Sequence, residues 1–220
     1  MPYRFHRQVS VCLIANQAVF LDADRDRYFS VGGVAAKAVR ALLESRSAHE
    51  EELERLAKAG LLEVGEGPQP PLPRQSTTPS RSLVEEAAGQ PARGGGVWLE
   101  VAASLVQAHR DVRRHPFASI LDDLGSGRAD HRGICVRSHD PRLKVAAAYN
   151  AARRLVPTRP LCLPDSLALL ACLARRGLAA DLVFGVKLHP FSAHCWVQAG
   201  DIVLNDALDH VTIHTPILVV

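Results

Sequence analysis

A stretch rich in proline, glycine, serine and threonine interrupts the chain across residues 65–96. Hydrophobic periodicity is lost there, except at residues 82–88, whose sequence SLVEEAA suits one or two helical turns. This composition is typical of a linker. Because one hydrophobic core cannot continue through such a stretch, we predict two domains, residues 1–65 and 97–220, joined by a flexible linker at 66–96.

The overall composition is that of globular protein on both sides of the linker. Hydrophobic residues make up 47% of the 220 residues, enough to bury a core in each half. The 26 Lys and Arg exceed the 23 Asp and Glu by only three, which provides no broad basic surface for nucleic acid or anionic lipid. The sequence has no apolar run of about 18 residues and no signal-peptide pattern, so we expect a cytoplasmic protein without a membrane partner.

The cysteines are few, odd in number and widely spaced: Cys12, Cys135, Cys162, Cys172 and Cys195. They form no CxxC pair, and this pattern favours reduced thiols over a disulfide framework or a structural zinc site. A cysteine with a special role is therefore expected to be catalytic.

The first domain is predicted to contain three strands followed by two helices. Residues at helical spacing begin at Val34, and the second helix has Ser47 as a plausible N-cap and Gly60 at its end. This order predicts a small winged-helix-like domain. Its nine basic residues are balanced by nine acidic ones, which disfavours DNA binding. The three strands are expected at residues 9–14, 18–23 and 27–31.

The second domain is predicted to be α+β, with helices followed by an antiparallel sheet. The third helix has Pro164 in its first turn and is expected to bury one face. That face comprises Leu167, Leu170, Ala171 and Ala174. The predicted helices lie within residues 97–115, 140–155 and 161–177, and the predicted strands span residues 181–188, 193–198, 201–206 and 215–220.

The sequence HCWVQAGDIVLND predicts a β-hairpin that carries a histidine and an aspartate. If residues 199–201 form a three-residue loop, paired residue numbers sum to 400 and His194 lies opposite Asp206. Cross-strand partners on one face have Cβ atoms about 5 Å apart, so the carboxylate would reach one imidazole nitrogen. Trp196 is expected beneath this pair, whereas Cys195 is expected to point away.

Cys162 lies just ahead of the predicted third helix. Unpaired N–H groups gather at a helix start and the helix dipole stabilises an anion there, so the position favours a thiolate. A free thiol with a pKa of about 8.5 is only slightly ionised at neutral pH, which makes this bias important. The same N–H groups are candidates to stabilise an oxyanion. The order Cys, His, Asp is that of papain-like and transglutaminase-like enzymes.

Four motifs characterise the second domain: CLPDSLALL at 162–170, FGVKLHPFSAHCWVQ at 184–198, VLND at 203–206 and PILVV at 216–220. Together they resemble the signature of lasso-peptide B proteins, the leader peptidases of lasso-peptide biosynthesis. The resemblance implies a transglutaminase-like cysteine peptidase with Cys162 as nucleophile, His194 as base and Asp206 as orienting acid. It implies no cofactor and no metal.

Residues 1–65 resemble the winged-helix-like element that recognises the leader peptide for these peptidases. The resemblance implies that the leader adds as an extra strand beside the third strand and rests against the last helix. Tyr28 and Phe29 would then be leader-binding residues. It also implies a partner, an asparagine-synthetase-like cyclase that uses ATP. The present sequence has no nucleotide-binding motif of its own.

Two other functions fit the same triad. An amine in place of water as acyl acceptor would make the protein an acyltransferase, as in transglutaminases. A protein that only presents the leader to the cyclase would be a non-catalytic adaptor.

Some residues have simpler interpretations. Cys172 and Cys195 are expected to be inert buried thiols, His189 a rim residue, and Asp209 a substitute for Asp206 if the loop is longer. A zinc site is disfavoured because its ligands would lie on opposite strand faces. The ligands considered for it are Cys162, His189, His194 and Cys195.

Overall fold

The computed structural model describes residues 3–44, 46, 49–65, 77–86, 97–126 and 140–220. The chain forms two compact units. The first comprises Met1–Gln75 with Thr215–Leu218, and the second comprises Ser76–His214 with Val219–Val220. Both units mix helices and strands, as the sequence predicted.

The first unit contains the predicted meander and the two predicted helices. Its three-stranded sheet has the order β2-β3-β4, and β1 pairs with β5 in a separate antiparallel ribbon that the sequence did not predict. The N-cap of α2 is His49, and Ser47, the predicted N-cap, lies outside the described residues. The elements are β1 (Tyr3–Phe5), β2 (Val9–Ile14), β3 (Gln17–Asp22), β4 (Arg27–Val31), α1 (Gly33–Leu43), α2 (Glu50–Lys58) and β5 (Leu62–Val64).

The core of the first unit lies between its sheet and its helices. Phe20 is fully buried in one cluster with Val39 of α1 and Leu56 of α2, and Phe29 of β4 packs against the same cluster. Gly60 has a φ of 78°, a left-handed conformation that ends α2 as the sequence predicted. The winged-helix assignment itself stays a prediction.

The second unit carries the remaining elements of the chain, except that residues 215–218 of the last strand belong to the first unit. α6 begins as predicted, because the Asp140 carboxylate accepts a hydrogen bond from the backbone N–H of Arg142 at 2.8 Å and Pro141 occupies the first turn. α5 and α8 were not predicted. The elements are β6 (Arg81–Ser82), α3 (Leu83–Glu86), α4 (Trp98–Arg114), α5 (Phe117–Ser126), α6 (Pro141–Arg153), α7 (Cys162–Ala174), β7 (Asp181–Lys187), β8 (Ser192–Ala199), β9 (Ile202–Val203), α8 (Leu208–Thr212) and β10 (Thr215–Val219).

α7 buries a different face from the one predicted. Leu169, Cys172 and Leu173 are buried in the core. The predicted face instead lines a cavity of about 640 Å³ between α4, α5 and α7. The sequence prediction was wrong because α7 is apolar on more than one side, so spacing alone did not select the core face. The four predicted residues, Leu167, Leu170, Ala171 and Ala174, all line this cavity.

The sheet of the second unit is mixed rather than purely antiparallel. Its strands run β7-β8-β9-β6; β7 and β9 are antiparallel to β8, whereas β6 is parallel to β9. At its other side, Leu182 and Val220 exchange both backbone hydrogen bonds. β6 and α3 fall within the span predicted as a linker, and the rest of that span, 66–76 and 87–96, lies outside the described residues.

Among the described residues, no helix combines the length and the apolar character that crossing a lipid bilayer requires.

Candidate active site

Cys162 is the first residue of α7. Leu161, the N-cap residue, is extended and makes no side-chain cap, and Pro164 in the first turn has no N–H to donate. The N–H groups that remain at this end, together with the helix dipole, favour negative charge on the Cys162 sulfur. Cys162 is exposed, whereas Cys12, Cys172 and Cys195 are buried. Cys135 lies outside the described residues.

The Cys162 sulfur has three hydrogen-bonding neighbours on β8. The Cys195 thiol is the strongest influence on its pKa, and the His194 ring and the backbone N–H of Cys195 also act on it. These groups lower the pKa of Cys162 to about 4, although desolvation by the surrounding atoms acts in the opposite direction. The cysteine is therefore a thiolate at neutral pH.

The position of this sulfur follows from where the β8–β9 ladder ends. The last ladder contact is the bond from the Leu204 N–H to the Val197 carbonyl at 2.8 Å. Every second residue of a strand directs its N–H to the same side, so the Cys195 N–H points to the side that β9 has left. The Cys162 sulfur takes that place at the edge of β8. Side chains from both faces of the strand, His194 and Cys195, therefore reach it.

His194 connects the thiolate to a carboxylate. Its Nε2 is hydrogen-bonded to Oδ2 of Asp206, which leaves Nδ1 to face Cys162. Burial of the ring disfavours its charged form, but the bonds with Asp206 and Cys162 prevail and raise the pKa of His194 to about 9. At neutral pH the pair is therefore a thiolate and an imidazolium.

Asp206 reaches His194 by a route that differs from the predicted one. Ala199 pairs with Ile202 and Gln198 with Val203, so paired numbers sum to 401 instead of 400. The loop has two residues, and Gly200 with a φ of 60° supplies the left-handed position that such a loop needs. β9 ends at Val203, and Asp206 approaches the imidazole from the bend that follows rather than from a facing strand position.

Asparagine side chains hold this bend in place. Asn205 accepts a hydrogen bond from the Val197 N–H at 2.8 Å and donates one to the Ser166 hydroxyl on α7 at 3.0 Å. Asn150 on α6 donates to the Leu204 carbonyl at 2.7 Å. Asn205 thus replaces a ladder partner of β8 and also connects the bend to the helix that carries Cys162.

The Asp206 carboxylate is fixed at both oxygens. Oδ1 accepts hydrogen bonds from the Ala207 N–H at 2.7 Å and from Nδ1 of His210 at 3.1 Å, while Oδ2 bonds to His194. Burial raises the pKa of Asp206, but these bonds, that from His194 foremost, outweigh it and lower the pKa overall. The Ser82 hydroxyl on β6 donates to the Asp206 carbonyl at 2.6 Å. This last contact comes from within the predicted linker.

A buried aromatic layer supports the imidazole. The Trp196 ring stacks on His194 with centroids 6.1 Å apart, as expected from their shared face, and His214 lies 5.4 Å from His194. Gly185 pairs with His194 across the ladder, and a Cβ there would lie 2.9 Å from atoms of both Trp196 and His214. Only glycine leaves room for this layer, and no pattern in the sequence predicts that requirement.

Cys195 is predicted to be an inert buried thiol that points away from the site, and the predicted direction is wrong. Cys195 is buried, but it contacts both Cys162 and Ser166. The bond to the Cys162 thiolate, together with burial, raises the pKa of Cys195 well above its ordinary value. It therefore stays protonated and acts as a donor. The face alternation was predicted correctly, but the sequence could not place Cys162 at the strand edge.

The remaining predicted residues lie elsewhere. Tyr28 and Phe29 are on β4 in the first unit. Asp209 is exposed in α8 and is not the partner of His194. Among the described residues, His194, Asp206 and His210 have ligand atoms within 4.8 Å of one another, close enough to share a metal ion. This trio differs from the zinc ligands considered from the sequence, and its members are hydrogen-bonded together.

Comparisons with known proteins identify the family to which this chain belongs. Residues 98–219, more than half of the chain, match the family model of the transglutaminase-like superfamily. The microcin J25-processing protein McjB of Escherichia coli is 48% identical over 46 residues, an alignment that covers 21% of this chain and 22% of that protein. The chain thus aligns with about a fifth of the length of that curated relative. No solved structure matches the chain.

Proposed function

Because the chain belongs to the transglutaminase-like superfamily, we propose that it is a cysteine peptidase that removes the leader from a lasso-peptide precursor. One observation carries the proposal: the exposed Cys162 sulfur contacts an imidazole whose other nitrogen is held by Asp206. The short match to a microcin-processing protein supports a ribosomally made peptide as the substrate. Superfamily membership alone would leave the substrate open.

The first step is acylation of the thiolate. Cys162 attacks the carbonyl carbon at the leader–core junction, and the carbonyl oxygen becomes an oxyanion beside the N–H groups at the start of α7. The C–N bond then breaks, and the amine of the core leaves with the proton that His194 carried on Nδ1. Between a pH of about 4 and a pH of about 9 both partners hold the charge that this step requires.

The second step releases the leader. Neutral His194 accepts a proton from water while the hydroxyl oxygen attacks the thioester carbonyl. The C–S bond breaks, the leader departs as a free acid, and the thiolate–imidazolium pair is restored. Asp206 keeps Nδ1 directed at the sulfur in both steps, because its carboxylate occupies Nε2 throughout.

The first unit is proposed to capture the leader. β4 is an outer strand of its sheet, and within the described part of the chain its ladder partner is β3. Phe29 lies opposite Phe20 and packs into the core, while Tyr28 lies opposite Leu21. An extended leader added beside β4 would gain main-chain hydrogen bonds and contact these two side chains. The winged-helix-like assignment belongs to this proposal.

A second protein is proposed to complete the maturation. Cleavage frees the amino end of the core but supplies no energy to close a ring. An asparagine-synthetase-like cyclase that consumes ATP is the partner that the resemblance to lasso-peptide B proteins implies. The present chain would deliver the freed core to it.

The direct test is mass spectrometry of a synthetic precursor, taken from the neighbouring genes, after incubation with the purified full chain. The expected products are the free core and the leader acid. Cys162→Ala should lower cleavage by at least about 10³-fold, because the thiolate forms the covalent bond, while leader binding is retained. Cys172→Ala is the matched control, since Cys172 lies on the same helix but away from His194.

Each other outcome contradicts the proposal in a recognisable way. Undiminished cleavage by Cys162→Ala would rule out Cys162 as the nucleophile. A leader adduct with an added amine in place of the leader acid would indicate an acyltransferase. A wild-type chain that binds the precursor and leaves it intact would be an adaptor.

A further inference from the structure

His210 occupies a place beside the triad that neither the sequence nor the comparisons assigned. We propose that His210 is a positioning residue, which holds Oδ1 of Asp206 so that Oδ2 stays directed at His194. Its Nδ1 lies 3.1 Å from Oδ1, and the Ala207 N–H donates to the same oxygen at 2.7 Å. The inference rests on the proposed function for its kinetic consequence, but its geometry does not depend on the substrate.

The Asp206 carboxylate needs these hydrogen bonds because Asp206 does not lie in a strand. Asp206 lies in the bend after β9, where no ladder hydrogen bond fixes its backbone, and a free carboxylate would rotate about its side-chain bonds. The donors on Oδ1 remove that freedom. His210 supplies one of them from α8, four residues further along the chain.

The His210 ring is also in contact with the imidazole that it serves. The rings of His210 and His194 have centroids 4.3 Å apart and are tilted by 35°. Although His210 is about half exposed, it therefore covers one side of His194 and limits where that ring can move. Two imidazoles share the carboxylate, and they also pack against each other.

α8 is in turn anchored to the strand that carries His194. The buried His214 donates from Nδ1 to the His210 carbonyl at 2.8 Å, and its Nε2 lies 2.9 Å from the Ser192 hydroxyl on β8. At its other end, the Leu208 N–H donates to Glu85 on α3 at 3.0 Å. A helix of only five residues is thereby fixed at both ends, and the position of His210 is fixed with it.

The test replaces His210 with a residue that keeps an aromatic ring but has no N–H donor for Asp206. His210→Phe should lower kcat for precursor cleavage by between about 10-fold and about 100-fold, since loss of alignment at a reacting centre has this order of effect. KM should not change, because the leader is proposed to bind the other unit. His210→Asn places an N–H donor near the original Nδ1 and should restore most of kcat. Asp209→Asn, on the exposed neighbour in α8, is the matched control.

A second readout does not require the substrate. The rate of Cys162 alkylation by iodoacetamide should rise with pH at a higher midpoint in His210→Phe than in the wild type. Without the hydrogen bond from His210, Asp206 is held less firmly against His194. The imidazolium form of His194 is then less stable and stabilises the Cys162 thiolate less. His194, Asp206 and His214 are the titratable groups whose contacts or rings lie next to His210, and all three remain in the variant.

The outcomes separate a positioning role from a purely structural one. A variant with a lower melting temperature but an unmoved alkylation midpoint and unchanged kcat would overturn the proposal, as would a loss that His210→Asn does not repair. If the wild-type chain does not cleave the precursor, the proposed function fails. The alkylation midpoints of the same variants still decide the role of His210.

Discussion

The two ends of α7 carry the same residue type in opposite chemical states. Cys162 opens the helix, is exposed, and has a pKa lowered to about 4 by Cys195 and His194. Cys172 lies near the other end, is buried, and contacts the Ser104 hydroxyl at 3.6 Å and Nη2 of Arg175 at 3.3 Å. Burial raises the pKa of Cys172 even though a guanidinium is adjacent.

The difference shows that one nearby cation does not create a nucleophile. Cys172 is desolvated at the helix end where carbonyl groups concentrate negative partial charge, so the thiol form prevails. Cys162 combines the opposite end of the dipole with donors aimed at its sulfur. The location of these donors, at the edge of β8 that β9 leaves, is therefore the feature that distinguishes the two cysteines.

The largest effect on this difference is expected from removal of the carboxylate charge that supports His194. Asp206→Asn should lower kcat for cleavage by about 10³- to 10⁴-fold, because the amide no longer stabilises the imidazolium and favours the wrong tautomer. Steady-state kinetics with the synthetic precursor measure the effect. Cleavage by Asp206→Asn within a few-fold of wild type would mean that the contact between Asp206 and His194 has no role in catalysis.

A smaller effect is expected from the thiol that donates to Cys162. Cys195→Ala should raise the alkylation midpoint of Cys162 by about one pH unit, since a hydrogen bond to a charged group is worth about 1.5 kcal/mol. Cleavage at pH 7 should change little, because the thiolate still predominates. Cys195→Ser keeps a donor and should stay near the wild-type midpoint. An unmoved midpoint in Cys195→Ala would show that the Cys195 thiol does not act on the nucleophile.

The sequence was sufficient to place Cys162 next to a helix start and to bring His194 together with Asp206. It did not predict the register, because AGD suits a two-residue or a three-residue loop and only the pairing of Ala199 with Ile202 in the folded sheet decides between them. The two assignments differ by one residue. The bend at Asn205 nevertheless brings Asp206 to the imidazole, through side-chain bonds that no periodicity reveals.

Other features of the site could not be predicted from the sequence because the elements that carry them are short. β6 has two residues and α8 has five, and elements this short carry no periodic signal. Yet Ser82 of β6 holds the Asp206 backbone and His210 of α8 holds its carboxylate. The contact between Cys195 and Cys162 depends on where β9 ends, which is a property of the folded sheet. Tertiary contacts therefore complete a site whose main residues local patterns could identify.

The most direct measurement is the pH dependence of iodoacetamide labelling at Cys162 and Cys172 in the same folded protein. Trypsin leaves both in one peptide, because no Lys or Arg lies between Cys162 and Cys172, so fragment ions or the Cys172→Ala variant must assign the label. The account predicts labelling of Cys162 with a midpoint near pH 4 and no labelling of Cys172 below neutral pH. A Cys162 midpoint near that of a free thiol, about 8.5, or equal labelling of the two cysteines would contradict it.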